Sequence, residues 1–202
     1  MCIRDSIGEN KLICSSISQG AFVFELDHDD DIVPSTFDKL ISAGRRFPEA
    51  GFFYSDCTEL SEDTYEPFSY GNYFGLGFGS YYRMWQKNHF QYIYRTHRVN
   101  PTTQRHIVGV PNHFRAWTRK AYQEVGGHLD HLQVADDYDL IIRTMNKYRW
   151  VHIPELLYLQ YRNQGGDNFT FHRNALIQYL VGKLRDTHEE DIHRRFIELG
   201  VD

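Results

Sequence analysis

An α/β domain with an open, mostly parallel sheet flanked by helices is the architecture that three stretches of the sequence predict. The run Phe22-Val23-Phe24-Glu25-Leu26 is dominated by β-formers, is entered through Gly20, and leads into Asp27, Asp29, Asp30 and Asp31. A short apolar run bounded in this way reads as a buried parallel strand. A helix pattern begins after Pro34, and Ala50 to Ser55 then reads as a second buried strand that ends at Asp56. Strand, helix and strand with acids at the carboxyl ends is the order in which open α/β sheets build their sites.

The first strand carries the chemistry. Side chains alternate along a strand, so Asp27 and Asp29 share one side if extended geometry persists that far. Two carboxylates ~4 Å apart at an effective dielectric of ~20 repel by ~4 kcal/mol. A divalent cation converts that repulsion into attraction, and an all-oxygen ligand set suits Mg²⁺ or Mn²⁺. A solvated acidic loop leading into the next helix is the competing explanation. In that helix Ser35 and Asp38 form a pair resembling a capping box, Phe37, Leu40 and Ile41 recur at helical spacing, and Gly44 supplies a stop.

Composition narrows the function classes. A chain of 202 residues fits one domain, and 41% apolar with 24% charged residues is ordinary for a globular protein. The net charge of −5, with no long basic run, argues against a general nucleic-acid binder. No apolar stretch approaches the ~20 residues of a transmembrane helix. No signal-peptide pattern opens the chain, and residues 1–6 are set aside as a non-native leader. Cys2, Cys14 and Cys57 are odd in number and lack C-x-x-C spacing, which indicates neither a disulfide framework nor a zinc site and fits a reducing, cytoplasmic setting.

Ile7 to Gln19 is short and mixed, with the character of a helix leading to Gly20. Between Tyr65 and Tyr94, twelve of thirty residues are aromatic and Gly71, Gly75, Gly77 and Gly79 are interspersed. No strand-to-helix context makes those glycines a phosphate loop. The region reads as an insertion (65–105) that tucks aromatics under a sheet edge, or as a wall facing the apolar side of a sugar. His113 to Tyr122 mixes strand and helix signals before Gly126-Gly127. The H-x-x-H spacing of His128 and His131 is on a loop and without cysteine, which is weak support for a metal. Asp136-Asp137-Tyr138-Asp139 opens a helix, where a cap and the macrodipole already favour acids. Trp150 to Tyr161 reads as an edge strand, with Pro154 kept out of a central ladder. A polar loop at 162–168 and two helices, Asn174–Leu184 and Glu189–Leu199, complete the chain.

In order, these segments resemble family 2 glycosyltransferases of the GT-A fold. The resemblance is carried by Gly20 to Asp30, Phe52-Phe53-Tyr54-Ser55-Asp56, Phe114-Arg115 through Gly126-Gly127, Asp136 to Arg143, and Ile153-Pro154-Glu155 through Tyr161-Arg162. It spans about residues 12 to 180. It implies an inverting transfer of a sugar from a nucleoside-diphosphate sugar donor to the hydroxyl of a glycan or other acceptor, dependent on Mn²⁺ or Mg²⁺. By position it implies that Asp29 holds the cation with Asp27 assisting, and that Asp27, Asp29, Asp30 and Arg162 contact the nucleotide-sugar. It makes Asp137 the general base, with Asp136 beside it. Two departures stand out. The family's fold begins with nucleotide-binding βα units, whereas only residues 1–21 precede Phe22, so residues 7–185 are expected to be an N-terminally truncated GT-A domain, followed by a C-terminal helix in 186–202. Gln164 stands where many relatives carry a histidine that reaches the metal, and His172 or solvent is the substitute. A non-catalytic carbohydrate- or protein-binding module using the aromatic region is the alternative, and a metal-dependent phosphoesterase is a weaker one.

Overall fold

The computed structural model describes residues 7–61, 63–66, 79–86, 89–162 and 172–201. The leader, Gly71, Gly75, Gly77, the polar loop from 163 onward and Gln164 lie outside the described residues. Helix α1 (Ile7–Ile17) leads into β1 (Phe22–Phe24), a turn, β2 (Asp31–Ile32), α2 (Thr36–Arg46) and the long strand β3 (Ala50–Ser61). The hairpin β4 (Ser80–Gln86) and β5 (His89–Arg95) precedes α3 (Pro101–His106), β6 (Arg115–Thr118) and α4 (Arg119–Glu124). Helix α5 (Asp136–Lys147), strand β7 (Arg149–Arg162) and helix α6 (Asn174–Glu198) follow.

The seven strands form one curled, mixed sheet, which corrects the expectation of a mostly parallel one. The order is β1-β6-β3-β5-β4, with β7 on the other side of β3 and β2 beyond it. Only β3 and β7 run parallel; every other described pairing is antiparallel. The physical reason is visible in β3. Phe53 and Cys57 enter the core under α2, while Phe52 and Tyr54 enter the core against α5 and α6. A strand covered on both faces reads as a continuous apolar run whichever way its neighbours point. β1 is likewise a half-buried strand, antiparallel to β6, and not a buried parallel one.

β7 is an edge strand over its first half, where β3 is its only described partner, and is covered farther on, where β2 pairs with Tyr158 and Leu159. Pro154 is accommodated by an irregularity: Ser55 pairs with Ile153 and Asp56 with Leu156, so Pro154 and Glu155 bulge out of the ladder. The helices also differ from expectation. The Ser35 side chain makes no capping bond, and α2 runs through Gly44 to Arg46. Helix α3, which the sequence reading passed over, has Asn100 as its N-cap and Pro101 at its first position, with reciprocal bonds between Asn100 and Thr103. The two expected terminal helices are one, because residues 185–188 contain no breaker and Thr187 returns its hydroxyl to the Lys183 carbonyl.

Helix α5 is held from both ends. Leu140, Ile141, Ile142 and Met145 are buried against the sheet, at roughly 1.5–3 kcal/mol for each such side chain. Trp117 on β6 donates its indole N–H to Thr144 Oγ1 at 3.0 Å. Arg143 binds Asp139 and the carbonyls of Val125 and Gly127, and His188 of α6 meets Asp139 at 3.1 Å. These contacts fix the acidic first turn of α5 relative to the end of β1.

Helix α1 lies against the segment 129–132, with Gly8 N–H donating to the Leu132 carbonyl at 3.3 Å. A Cβ on Gly8 would stand 2.1 Å from the Leu129 carbonyl oxygen, and backbone cannot swing away as a side chain does. Gly8→Ala is therefore expected to destabilise the protein by about 1–3 kcal/mol, measured as a lower urea midpoint; an unchanged midpoint would mean α1 is not seated there.

Candidate active site

Strand β1 stops at Phe24, so Asp27 and Asp29 reach their positions on a turn and not by strand alternation. The turn is fastened to β7. Tyr158 accepts the Asp27 N–H at 3.2 Å and donates its hydroxyl to Asp30 Oδ2 at 2.7 Å, while the Tyr161 N–H reaches Asp30 Oδ1 at 2.8 Å. Both Asp30 oxygens are thus engaged by β7. Burial pushes the Asp30 carboxyl up to about 6 despite those bonds. Asp27 is solvent-exposed, and the Asp29 side chain is 41% exposed, with His28 at 3.8 Å.

Behind the turn is Glu25, 6% exposed, whose N–H is bonded to the Arg115 carbonyl at 3.1 Å. Its carboxylate receives Lys11 Nζ at 2.8 Å, His128 Nε2 at 3.0 Å and Arg115 at 3.5 Å. Burial pushes this carboxyl up, and the Lys11 charge, the His128 hydrogen bond and the Arg115 charge together outweigh it, holding Glu25 well below the usual range.

The acid pair divides between the two cations. Asp136 is buried, 3.2 Å from Lys11 Nζ and 3.6 Å from His128 Nε2. Asp137 Oδ2 takes a 2.5 Å bond from the buried Arg115 guanidinium, while its side chain stays 30% exposed. Desolvation raises both carboxyls. It prevails for Asp136, whereas the Arg115 and Lys11 charges reverse it for Asp137 and hold that group below its ordinary value.

Two cavities flank this charged wall. One, of about 250 Å³, is lined by Asp137, Arg115, His113, Gln160, Arg162 and Glu59 among others. Arg162 is ion-paired with Glu59 there. The other, of about 480 Å³, is lined by Asp27, Lys11, Glu25, His128 and the apolar side chains of Phe22 and Phe24. The charge on Asp137 is among those that raise the Asp27 carboxyl, after desolvation and Glu25, with Asp29 adding to it and Lys11 opposing. Asp27 and Asp137, 110 positions apart in sequence, line different cavities on either side of this wall. His131 is 69% exposed in side chain and turned to Asp130, so the H-x-x-H pair does not converge; His128 alone enters the site. His172 is exposed.

Lys11, Glu25 and Arg115 were not foreseen as site residues, and His128 was weighed only as half of an H-x-x-H pair. The one available signal was Glu25 itself: a charge in the middle of an apolar strand needs a buried partner.

The fold is glycosyltransferase-like. Among solved structures it is similar to the crystal structure of S. aureus TarS 1–349, a glycosyltransferase, with a TM-score of 0.56 and 10% sequence identity. The match covers 96% of this chain and 52% of that one, so the chain spans about half of TarS 1–349. No protein-family model and no curated protein sequence matches the chain. Among the described residues no helix is long and apolar enough to cross a membrane.

Behind Tyr94, on the wall of the smaller cavity, His97 is 3% exposed and in contact with the Tyr94 hydroxyl. Burial lowers its imidazole from 6.5 to about 4. Between those values the unfolded chain binds the extra proton, so stability falls as pH drops through the window, by roughly 2–3 kcal/mol. Urea titrations at pH 7 and pH 4.5 are expected to show this loss in the wild type and a smaller one in His97→Gln; parallel losses would place the proton uptake elsewhere.

Proposed function

We propose that the protein is an inverting glycosyltransferase of the family 2, GT-A type, moving a sugar from a nucleoside-diphosphate sugar to an acceptor hydroxyl. The observation that carries this reading is that Glu25, at the head of the Asp27–Asp29 turn, is joined to Asp136 through Lys11 and to Asp137 through Arg115, in a glycosyltransferase-like fold.

Asp137 is the proposed general base. It is ionised, 30% exposed and turned to a cavity of about 250 Å³. Arg115 fixes one of its oxygens, and the Tyr138 N–H fixes the other at 2.8 Å. A positioned carboxylate that accepts the acceptor's hydroxyl proton contributes typically ~10²–10⁴-fold. Its low basicity favours proton transfer late in the displacement, when the hydroxyl has become acidic. Asp136, already engaged by Lys11, supports the pair from behind and does not face the acceptor.

Asp29 and Asp27 fit a hard divalent cation. Both are oxygen donors, and desolvation first, then the charges of Glu25, Asp137 and Asp29, push the Asp27 carboxyl up, a penalty on its charged form that a cation relieves. When bound there, Mn²⁺ or Mg²⁺ would supply charge stabilisation to the departing diphosphate. Asp30 serves by fastening the turn to β7. Arg162 sits on the Asp137 side, where its pairing with Glu59 leaves it oriented toward the same cavity.

The exposed hairpin pair Trp85 (61%) and Phe90 (59%), packed edge to face at 5.1 Å, favours a second reading as a carbohydrate-binding surface. Glycan binding without nucleotide or cation that is lost in Trp85→Ala and kept in Asp29→Ala would select it.

The transferase reading is tested by incubating the whole protein with Mn²⁺ and UDP-, GDP- and dTDP-hexoses and measuring release of nucleoside diphosphate. Asp137→Asn is expected to lower turnover by ~10²-fold or more with donor affinity little changed. Asp29→Ala is expected to weaken Mn²⁺-dependent donor binding as well as turnover. Loss of donor binding in Asp137→Asn, or full activity in either variant, would sink the assignment.

A further inference from the structure

Glu25, His128 and Asp136 offer three ligand atoms within 4.8 Å of one another, one imidazole and two carboxylates, all buried. The arrangement has the features of a constructed cation site. His128 Nε2 faces Glu25, while its Nδ1 is held by the Tyr122 hydroxyl at 2.8 Å, the kind of outer contact that orients a histidine ligand. Tyr122 in turn accepts a hydrogen bond from Ser15 at 2.8 Å. Asp136 Oδ2 is buried and makes no hydrogen bond; its contacts are the ion pairs with Lys11 Nζ and His128 Nε2. Lys11 Nζ is seated against two of the three, 2.8 Å from Glu25 and 3.2 Å from Asp136. Lys11 and Ser15 are one helical turn apart on the same face of α1, so one helix supplies both the ammonium and the group that orients the histidine through Tyr122.

We propose that Glu25, His128 and Asp136 form a cation seat of the type that binds a divalent metal, and that the Lys11 ammonium is its resident cation. Lys11 reserves the buried seat and excludes metal from it. This inference stands whether or not the protein transfers sugars. Under the transferase reading, it leaves the exposed turn of Asp27 and Asp29 as the place for an added divalent ion.

Co²⁺ titration of the whole protein tests the seat, because a low-coordinate nitrogen-and-oxygen site gives a visible absorption band that an all-oxygen, water-rich site does not. The wild type is expected to show no His128-dependent band. Lys11→Ala is expected to bind one Co²⁺ with such a band, at least ~10-fold tighter than Lys11→Ala/His128→Ala. A His128-dependent band in the wild type would overturn the proposal, because metal would then displace the lysine. Absence of a band in a folded Lys11→Ala would overturn it as well. Should Lys11→Ala fail to fold, the wild type still decides: Lys11 is expected to react with acetic anhydride at least ~10-fold more slowly than Lys120, whose side chain is 78% exposed against 26% for Lys11. Equal rates would show that the ammonium is not held in the seat.

Discussion

Glu25 is the interaction on which the site depends. A carboxylate removed from water at the end of an edge strand would be costly alone, and breaking a buried pair by deleting one partner typically costs 3–5 kcal/mol. Here three cationic or hydrogen-bonding groups from three separate elements meet it: Lys11 from α1, Arg115 from β6 and His128 from the turn after α4. Each of those partners also touches the acid pair of α5. The charges alternate through the group, so no member is buried without a counter-charge. The fold around the site is therefore specified by electrostatic matching as much as by apolar packing, and α1, β1, β6 and α5 are mutually registered by it.

The division of the two cations between the two aspartates gives each acid a different character. Asp136 faces inward and is shielded; Asp137 is held by Arg115 on one oxygen and by the Tyr138 N–H on the other, and lines a cavity. Two neighbouring residues of the same type, at the start of one helix, thus become a supporting group and a working group. Nothing in their local sequence distinguishes them. The distinction comes from which side of the α5 axis faces α1 and which faces β6.

Parts of this were legible in the sequence. The strand at Ala50 and the helix opening at Asp136 follow from pattern and propensity, and the order of motifs pointed to the glycosyltransferase-like fold. Strand direction was not legible, because β3 is covered on both faces and alternation carries no information there. The extent of β1 was overread: Glu25 and Leu26 continue the pattern, but the strand ends at Phe24, Glu25 keeps one backbone bond to Arg115 while its side chain meets Lys11, and the turn follows. Lys11 and Arg115 were invisible as site residues because each is an ordinary charge in a mixed segment, and only the tertiary fold brings them to an acid 14 and 90 positions away.

The bulge at Pro154 and Glu155 carries a consequence for how the sequence can vary. With Leu157 also unpaired, β7 holds three more residues than β3 requires between Ser55 and Cys57. Strand faces invert with every added or lost residue, so the count fixes the direction in which Tyr158 points, and Tyr158 is what grips the turn at Asp27 and Asp30. A one-residue deletion that slid the far half of β7 along β3 by one position would rotate that tyrosine to the opposite face. The length of this small irregularity, more than the identity of its residues, is the quantity that descent should preserve.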